Sequence, residues 1–133
     1  MKRIVLLVVA MVLLVGFWAI SGLQAKSQGQ NAKVEKIVFC TGVESRDPIG
    51  EGDTFNASAD RIYCWIKIVA DNVPIEVKHI WYADNKKVAE IPLSVKYSST
   101  RTWSNKSIWV AQWKVEVIDD TGEILATKTF TVK

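Results

Sequence analysis

Strict alternation of apolar and polar residues is the feature that most limits how this chain can fold. Within residues 61–70, every second position from Ile62 to Ile68 carries an apolar residue or cysteine. Successive side chains of a β-strand point to opposite faces, so this spacing predicts a strand with one buried face. The same alternation returns within residues 111–119, where Trp113, Val115 and Val117 are predicted to point inward and Lys114 and Glu116 outward.

Strand-like segments of this kind recur after residue 33, and turn signals separate them. Asp84-Asn85-Lys86 and Asp119-Asp120-Thr121-Gly122 both favour tight hairpins. Pro92 favours an edge strand, because proline lacks the amide proton that a central strand donates. The segment 44–60 is predicted to be a long loop that Phe55 attaches to the core. The predicted strands are 34–43, 61–70, 75–83, 87–93, 101–108, 111–119 and 123–132.

These patterns predict an all-β domain, because no segment after residue 33 has a helical period of useful length. About seven short strands in roughly 100 residues favour an antiparallel β-sandwich of immunoglobulin-like type. A small barrel is the alternative. The spacing of cysteine, tryptophan and cysteine that is typical of antibody domains is absent, so the predicted likeness is one of architecture only.

An apolar run precedes the predicted domain and sets its side of the membrane. A basic pair at residues 2–3 is followed by residues 4–23, which carry no charge. A run of about 20 apolar residues can cross a bilayer as a helix, and a basic start before an apolar core also describes a signal peptide. Residues 1–25 are therefore predicted to be a hydrophobic helix that serves as signal anchor or signal peptide, and residues 26–33 a polar linker. Both alternatives place the sandwich domain, residues 34–133, outside the cytoplasm, in the periplasm or at the cell surface.

The charge balance gives no reason to expect nucleic acid as a partner. The whole chain has a formal net charge of +3, to which Lys2 and Arg3 contribute two charges. A near-neutral domain offers no extended basic surface to a phosphate backbone.

The two cysteines, Cys40 and Cys64, are an even number in a domain predicted to be exported. Disulfides form and persist in such compartments, so we predict a bond between them. In the chain-entropy model, a bond that closes a loop of this length stabilises the fold by roughly 3 kcal/mol.

The stretch from His79 to Trp113 contains the only histidine and is the natural place to look for a reaction centre. A catalytic triad would have to combine His79 with a serine such as Ser104 and an acid such as Asp119, and no nucleophile-elbow pattern accompanies them. His79 has no nearby cysteine or second histidine with metal-ligand spacing. We therefore predict a domain that is not an enzyme and has neither metal nor cofactor.

The same stretch favours recognition, because it interleaves basic, polar and aromatic residues. On a strand, Arg101 and Trp103 would face one side, and Ser104 and Lys106 the other. An arginine beside tryptophan can stack on a ring or bind a carboxylate. The predicted binding residues are Arg101, Lys106, His79, Trp81, Trp103 and Ser104. The alternative is that these residues only fix the geometry of the sheets.

Several pieces of sequence occur in an order that points to a known family. They are Phe39-Cys40-Thr41-Gly42-Val43, Arg46-Asp47-Pro48, Phe55, Arg61-Ile62-Tyr63-Cys64-Trp65, His79-Ile80-Trp81-Tyr82, Arg101-Thr102-Trp103-Ser104-Asn105-Lys106, Trp113-Lys114-Val115-Glu116-Val117 and Asp120-Thr121-Gly122. Over residues 36–133 the chain resembles the uncharacterised bacterial family catalogued as domain of unknown function 2914. The resemblance implies a bacterial envelope protein with its domain behind a membrane segment, and it implies no activity or catalytic residue.

We therefore expect a non-enzymatic domain outside the cytoplasm that binds a protein or glycan component of the cell envelope. The alternative is a structural or assembly subunit whose aromatic-basic motif only stabilises the fold. Exposure of the tryptophans separates the two, because a buried set favours stability and a contiguous exposed patch favours binding. Trp65 and Trp109 are the tryptophans predicted to be exposed.

Overall fold

The structure, a computed structural model, describes residues 32–133. The predicted N-terminal helix and nearly all of the polar linker lie outside these residues. Within residues 32–133 no helix has the length and apolar character needed to cross a bilayer.

Ten β-strands and one short 3-10 turn make up the described part of the chain. The strands are β1 (Ala32–Cys40), β2 (Gly42–Glu44), β3 (Asp47–Ile49), β4 (Thr54–Phe55), β5 (Arg61–Ala70), β6 (Ile75–Ala83), β7 (Lys86–Val95), β8 (Ser99–Ser107), β9 (Ala111–Ile118) and β10 (Ile124–Val132), and the 3-10 turn is Ala57–Ala59.

The strands form two main sheets and one small hairpin. A three-stranded sheet, here called the small sheet, has the order β1-β5-β8. A five-stranded sheet, the large sheet, has the order β4-β10-β9-β6-β7, and only its β4–β10 pair is parallel. Strands β2 and β3 pair with each other as a separate hairpin, here called the clamp hairpin. The prediction of an all-β, mainly antiparallel domain is confirmed.

Aromatic rings from both sheets pack against one another in the core. Phe39 of the small sheet lies with its ring centroid 4.3 Å from that of Phe130 in the large sheet. Phe130 stacks on Trp113 at 5.7 Å, and Trp113 meets Trp81 edge to face at 6.2 Å. Phe55 reaches the same cluster, 5.8 Å from Phe130, so its predicted attachment to the core is confirmed. Aromatic pairs at such separations contribute about 0.5–1.5 kcal/mol each beyond the area that they bury.

The predicted alternation is confirmed on the strands where it was strongest. On β5 the positions from Ile62 to Ile68 that share a face are all fully buried, and on β9 so are Val115 and Val117, with Trp113 almost as deeply enclosed. The β6–β7 connection at Asp84 and Asn85 is the predicted tight hairpin.

Pro92 also lies where the sequence predicted. It belongs to β7, which forms an edge of the large sheet.

The segment predicted to be one long loop, residues 44–60, is more ordered than its composition indicated. It completes the clamp hairpin and adds β4, so the described part has more strands than the seven predicted. The turn of the clamp hairpin is formed by Ser45 and Arg46 at φ values of 50° and 67°. Side chains other than glycine, asparagine and aspartate rarely occupy this region, so no sequence signal marked the turn.

The predicted disulfide between Cys40 and Cys64 is wrong, since both thiols are free. In the β1–β5 register, Cys64 stands opposite Phe39, whereas Cys40 stands opposite Tyr63. Directly opposite residues share a face and consecutive residues alternate, so the two sulfur atoms point to opposite faces of the small sheet. Side chains that diverge in this way cannot be joined without moving the backbone. Both cysteines are buried, and burial raises the pKa of each thiol, which disfavours the reactive thiolate.

We expect two free thiols in protein purified without reductant. Maleimide should label neither cysteine in the folded protein, because both are buried, and should label both after unfolding in guanidinium. Reductant should leave the unfolding temperature unchanged. Failure of the unfolded, unreduced chain to react would show that the bond forms.

Candidate functional site

A serine hydroxyl joins the two sheets across the core. Ser104 lies on β8 of the small sheet, and His79 and Trp81 lie on β6 of the large sheet. The indole Nε1 of Trp81 donates to Ser104 Oγ at 3.0 Å, and Nδ1 of His79 lies 2.6 Å from the same oxygen. All three side chains are buried, and strand alternation causes this because each points to the inner face of its sheet. These three residues are here called the inter-sheet triplet.

The donors and acceptors of the triplet fix its hydrogen atoms. An indole N–H can only donate, so Ser104 Oγ accepts from Trp81. We assign the hydroxyl proton to the bond toward Nδ1 of His79, because no other acceptor is paired with it. A neutral His79 then carries its own proton on Nε2, which has no hydrogen-bond partner among the described residues. Burial lowers the pKa of His79 to about 4, so the ring is neutral near pH 7.

The serine and histidine have the contact of a catalytic pair but not its surroundings. His79 is fully buried and Ser104 is 4% exposed, so within residues 32–133 the hydroxyl is almost closed off from solvent. Ser104 Oγ is also occupied by Trp81. Asp119 accepts from the Thr121 and Glu123 amides through Oδ1, both at 2.9 Å, so its carboxylate closes the β9–β10 turn. The geometry therefore favours a stabilising role for the triplet.

Burial removes His79, Trp81 and Ser104 from the predicted binding surface, because a partner at the surface cannot touch them. Sequence periodicity had already placed His79 and Trp81 on one side of β6. What it could not supply was the strand from the other sheet that covers them.

A second group of contacts holds the clamp hairpin on the outer face of the small sheet, which is the face that points away from the large sheet. The Arg46 carbonyl accepts from Trp65 Nε1 at 3.0 Å. The Arg46 guanidinium donates to the Arg101 carbonyl at 2.6 Å and lies 5.4 Å from the ring centroid of Trp103. Arg101 in turn pairs with Asp47 at 2.8 Å. These contacts offset the cost of the left-handed backbone at Arg46.

The prediction that Trp65 is exposed is wrong, because the clamp hairpin covers this side chain. Its side chain is on the outer face, as alternation predicted, but it is only 4% exposed because Arg46 covers it. Trp109 is 45% exposed, and that prediction is confirmed. Trp81 and Trp113 are buried and Trp103 is half-buried, so the tryptophans do not form one contiguous exposed patch.

Lys106 lies apart from Arg101 and Trp103. It stands opposite Ile62 in the β5–β8 register, on the side of the small sheet that faces the core, near the end of β8. Its ammonium group is 5.1 Å from the ring centroid of Trp109. The backbone carbonyl of Trp109 accepts from Trp113 Nε1 at 2.9 Å, which holds the exposed ring against the core cluster. The six predicted binding residues thus fall into three separate places.

Sequence reasoning missed the importance of Arg46, Asp47, Lys36 and Lys67 for the outer face. A shallow depression beside the clamp hairpin is lined by Lys36, Asp47, Trp65, Lys67, Ser99 and Arg101. Arg46-Asp47-Pro48 stood among the pieces of family-like sequence, and that was the available signal. Within residues 32–133, no group of three His, Cys, Asp or Glu side chains is placed to hold a metal ion.

The fold and these contacts define an all-β domain with a buried polar link between its sheets. Residues 74–132 match the model of the family described as "Protein of unknown function (DUF2914)". The resemblance predicted from the sequence is thereby confirmed for the part of the chain that contains the whole inter-sheet triplet. The match does not extend to residues 36–40 of β1, to β5 or to the clamp hairpin, all of which the predicted range of 36–133 had included. No curated protein matches the chain.

The substitution Ser104→Ala tests the triplet. It should lower the free energy of unfolding by roughly 2–4 kcal/mol, because it leaves the buried Trp81 N–H and His79 Nδ1 unpaired. Ser107→Ala is the matched control, since the exposed Ser107 hydroxyl only accepts from Arg61. The control should change stability by no more than about 0.5 kcal/mol in the same guanidinium titration. Equal effects of the two substitutions would contradict the assigned role.

Proposed function

We propose that the domain is a non-enzymatic binding module outside the cytoplasm, and that it binds a protein or glycan component of the cell envelope through the outer face of the small sheet. The observation that carries the proposal is the depression beside the clamp hairpin. Its lining includes Lys36, Lys67 and Arg101 together with the largely buried Trp65. Cationic and aromatic side chains on a rigid sheet are suited to recognising polar or charged partners.

The proposed site differs from the predicted one in its centre. Arg101 and Trp103 remain part of it, because Arg101 has 42% of its side chain exposed and Trp103 lies beside it on the outer face. Lys106 is half-buried and lies beside the exposed ring of Trp109, at a separate place. The buried triplet supports the sheet that carries the site.

The location of the protein is proposed from the sequence. The apolar run at residues 4–23, followed by a polar linker, supports export with retention in the cytoplasmic membrane or cleavage of the leader.

We also propose an immunoglobulin-like arrangement for the sandwich. The order β1-β5-β8 matches strands A, B and E, and the order β10-β9-β6 matches strands G, F and C of that fold. Strand β6 carries the buried Trp81, as strand C of antibody domains carries a tryptophan. Cys64 lies on the strand that would be B, but its partner on strand F is absent, so the core is closed by aromatic packing in place of a disulfide.

A second candidate function is that of a structural or assembly subunit in an envelope complex. The burial of Trp65, Trp81 and Trp113 favours it, since these three tryptophans contribute to packing and leave little of their surface for a partner. Under this alternative, the outer face would tolerate loss of its charges without loss of any interaction.

Purification of the tagged full-length protein from its native membrane, with identification of what accompanies it, tests the proposal. Arg101→Ala and Lys67→Ala should each reduce the amount of the accompanying component at least about fivefold, because each removes an exposed charge from the site. Lys67 forms its ion pair with Glu35 and no hydrogen bond or ion pair with residues 42–49, so its variant separates lost binding from a displaced hairpin.

Lys86→Ala is the control, because it removes one exposed positive charge at the start of β7, on the large sheet. Thermal unfolding of each variant verifies that it folds. Unchanged recovery with both Arg101→Ala and Lys67→Ala would contradict the proposed surface and favour the structural alternative.

A further inference from the structure

Three positive side chains stand in one row across the outer face of the small sheet. In the strand register, Lys36 of β1 is directly opposite Lys67 of β5, and Lys67 is directly opposite Arg101 of β8. Neighbouring strands lie about 4.8 Å apart, so the row brings like charges close together. Like charges at directly opposite positions destabilise a sheet. The row therefore has a cost that the fold alone does not explain.

A β-bulge in β1 produces one of the two like-charge pairs, the one between Lys36 and Lys67. Val34 pairs with Ile68, and the register then shifts so that Lys36 pairs with Lys67. Without the shift, Glu35 would stand directly opposite Lys67 and Lys36 would point toward the core, so the row would lack its third cation. Bulges re-aim side chains and are frequent beside functional sites. Here the bulge turns Lys36 toward the middle of the row, while Glu35 remains close enough to pair with Lys67.

The surrounding carboxylates compensate the row only in part. Glu35 lies 3.5 Å from the Lys67 ammonium, and Asp47 lies 2.8 Å from Arg101. Lys36 has no ion-pair partner among the described residues, and its ammonium is 6.0 Å from the ring centroid of Trp65. Asp47 is well exposed, so its carboxylate is an intramolecular anion at the mouth of the depression.

We propose that the row binds phosphate groups, and that a phosphate takes the place of the Asp47 carboxylate on Arg101. A single carboxylate needs one guanidinium, whereas three cations in a row match a ligand that carries more charge or repeats it. A phosphate monoester carries about −1.5 to −2 charges near pH 7 and presents several acceptor oxygens. The inference rests on the proposed function and sharpens it, since among the proposed partners it favours a glycan that carries phosphate.

Calorimetric titration of the full-length protein in a non-ionic detergent tests this inference, with inorganic triphosphate as the probe and inorganic phosphate for comparison at equal ionic strength. Triphosphate should bind more tightly than phosphate, because it can contact more of the row. Lys36→Gln and Lys67→Gln should each weaken triphosphate binding about tenfold, since each removes a charge in contact with the ligand. Asp47→Asn should strengthen it about threefold or more, because it removes the competing carboxylate.

Two control measurements distinguish the loss of a charge in the row from a general loss of charge or of folding. Lys86→Gln removes a distant positive charge and should leave the affinity unchanged. Lys36→Gln should not lower the unfolding temperature, because it relieves repulsion within the row and breaks no ion pair of the described residues.

Equal affinity for triphosphate in wild type, Lys36→Gln and Lys67→Gln would overturn the inference, as would weaker binding by Asp47→Asn. If the native component depends on Arg101 and Lys67 but triphosphate does not bind, the phosphate inference fails and the proposed function stands. If triphosphate binding follows the row but recovery of the native component does not change, the phosphate site is supported and the proposed function fails.

Discussion

The hydroxyl of Ser104 is the point on which the rest of the structure depends. It ties β8 of the small sheet to β6 of the large sheet through Trp81 and His79, inside a core that is otherwise apolar. A buried polar link of this kind stabilises only when its partners are in place, so it selects one mutual position of the two sheets. That position sets which residues of β8 face inward, and therefore which face outward.

The outward residues of β8 then receive the clamp hairpin. Arg101 and Trp103 are consecutive outward positions, and Arg46 contacts both while Trp65 binds its carbonyl. One segment, residues 101–106, thus serves two purposes by alternation. Its inward serine holds the sheets together, and its outward residues hold the hairpin that borders the basic depression. The density of polar and aromatic residues in this region reflects both tasks.

Sequence periodicity predicted the parts of the fold that depend on local spacing. The buried faces of β5 and β9, the turn at Asp84 and Asn85, and the edge position of Pro92 all follow from period two and turn chemistry. Features that depend on tertiary contact were beyond it. A hairpin turn without glycine or asparagine, its cover over Trp65, and the register that separates Cys40 from Cys64 all require knowledge of which strands pair and where a bulge lies. For the same reason, the sequence could not show that His79, Trp81 and Ser104 are buried and that the candidate site lies on the outer face of the small sheet.

The pH dependence of the free energy of unfolding tests most directly the claim that His79 is buried and neutral. Its pKa is lowered to about 4 in the folded state, so the unfolded chain takes up a proton first, near the ordinary value of about 6.5. The stability that neutral His79 contributes is therefore fully present above about pH 6.5 and is lost as the pH falls from there toward 4. The free energy of unfolding should decrease by about 2 kcal/mol between pH 7.5 and 5, above the range where most carboxylates titrate, and His79→Gln should abolish that decrease. A stability that is independent of pH over this range in the wild-type protein would contradict the buried link.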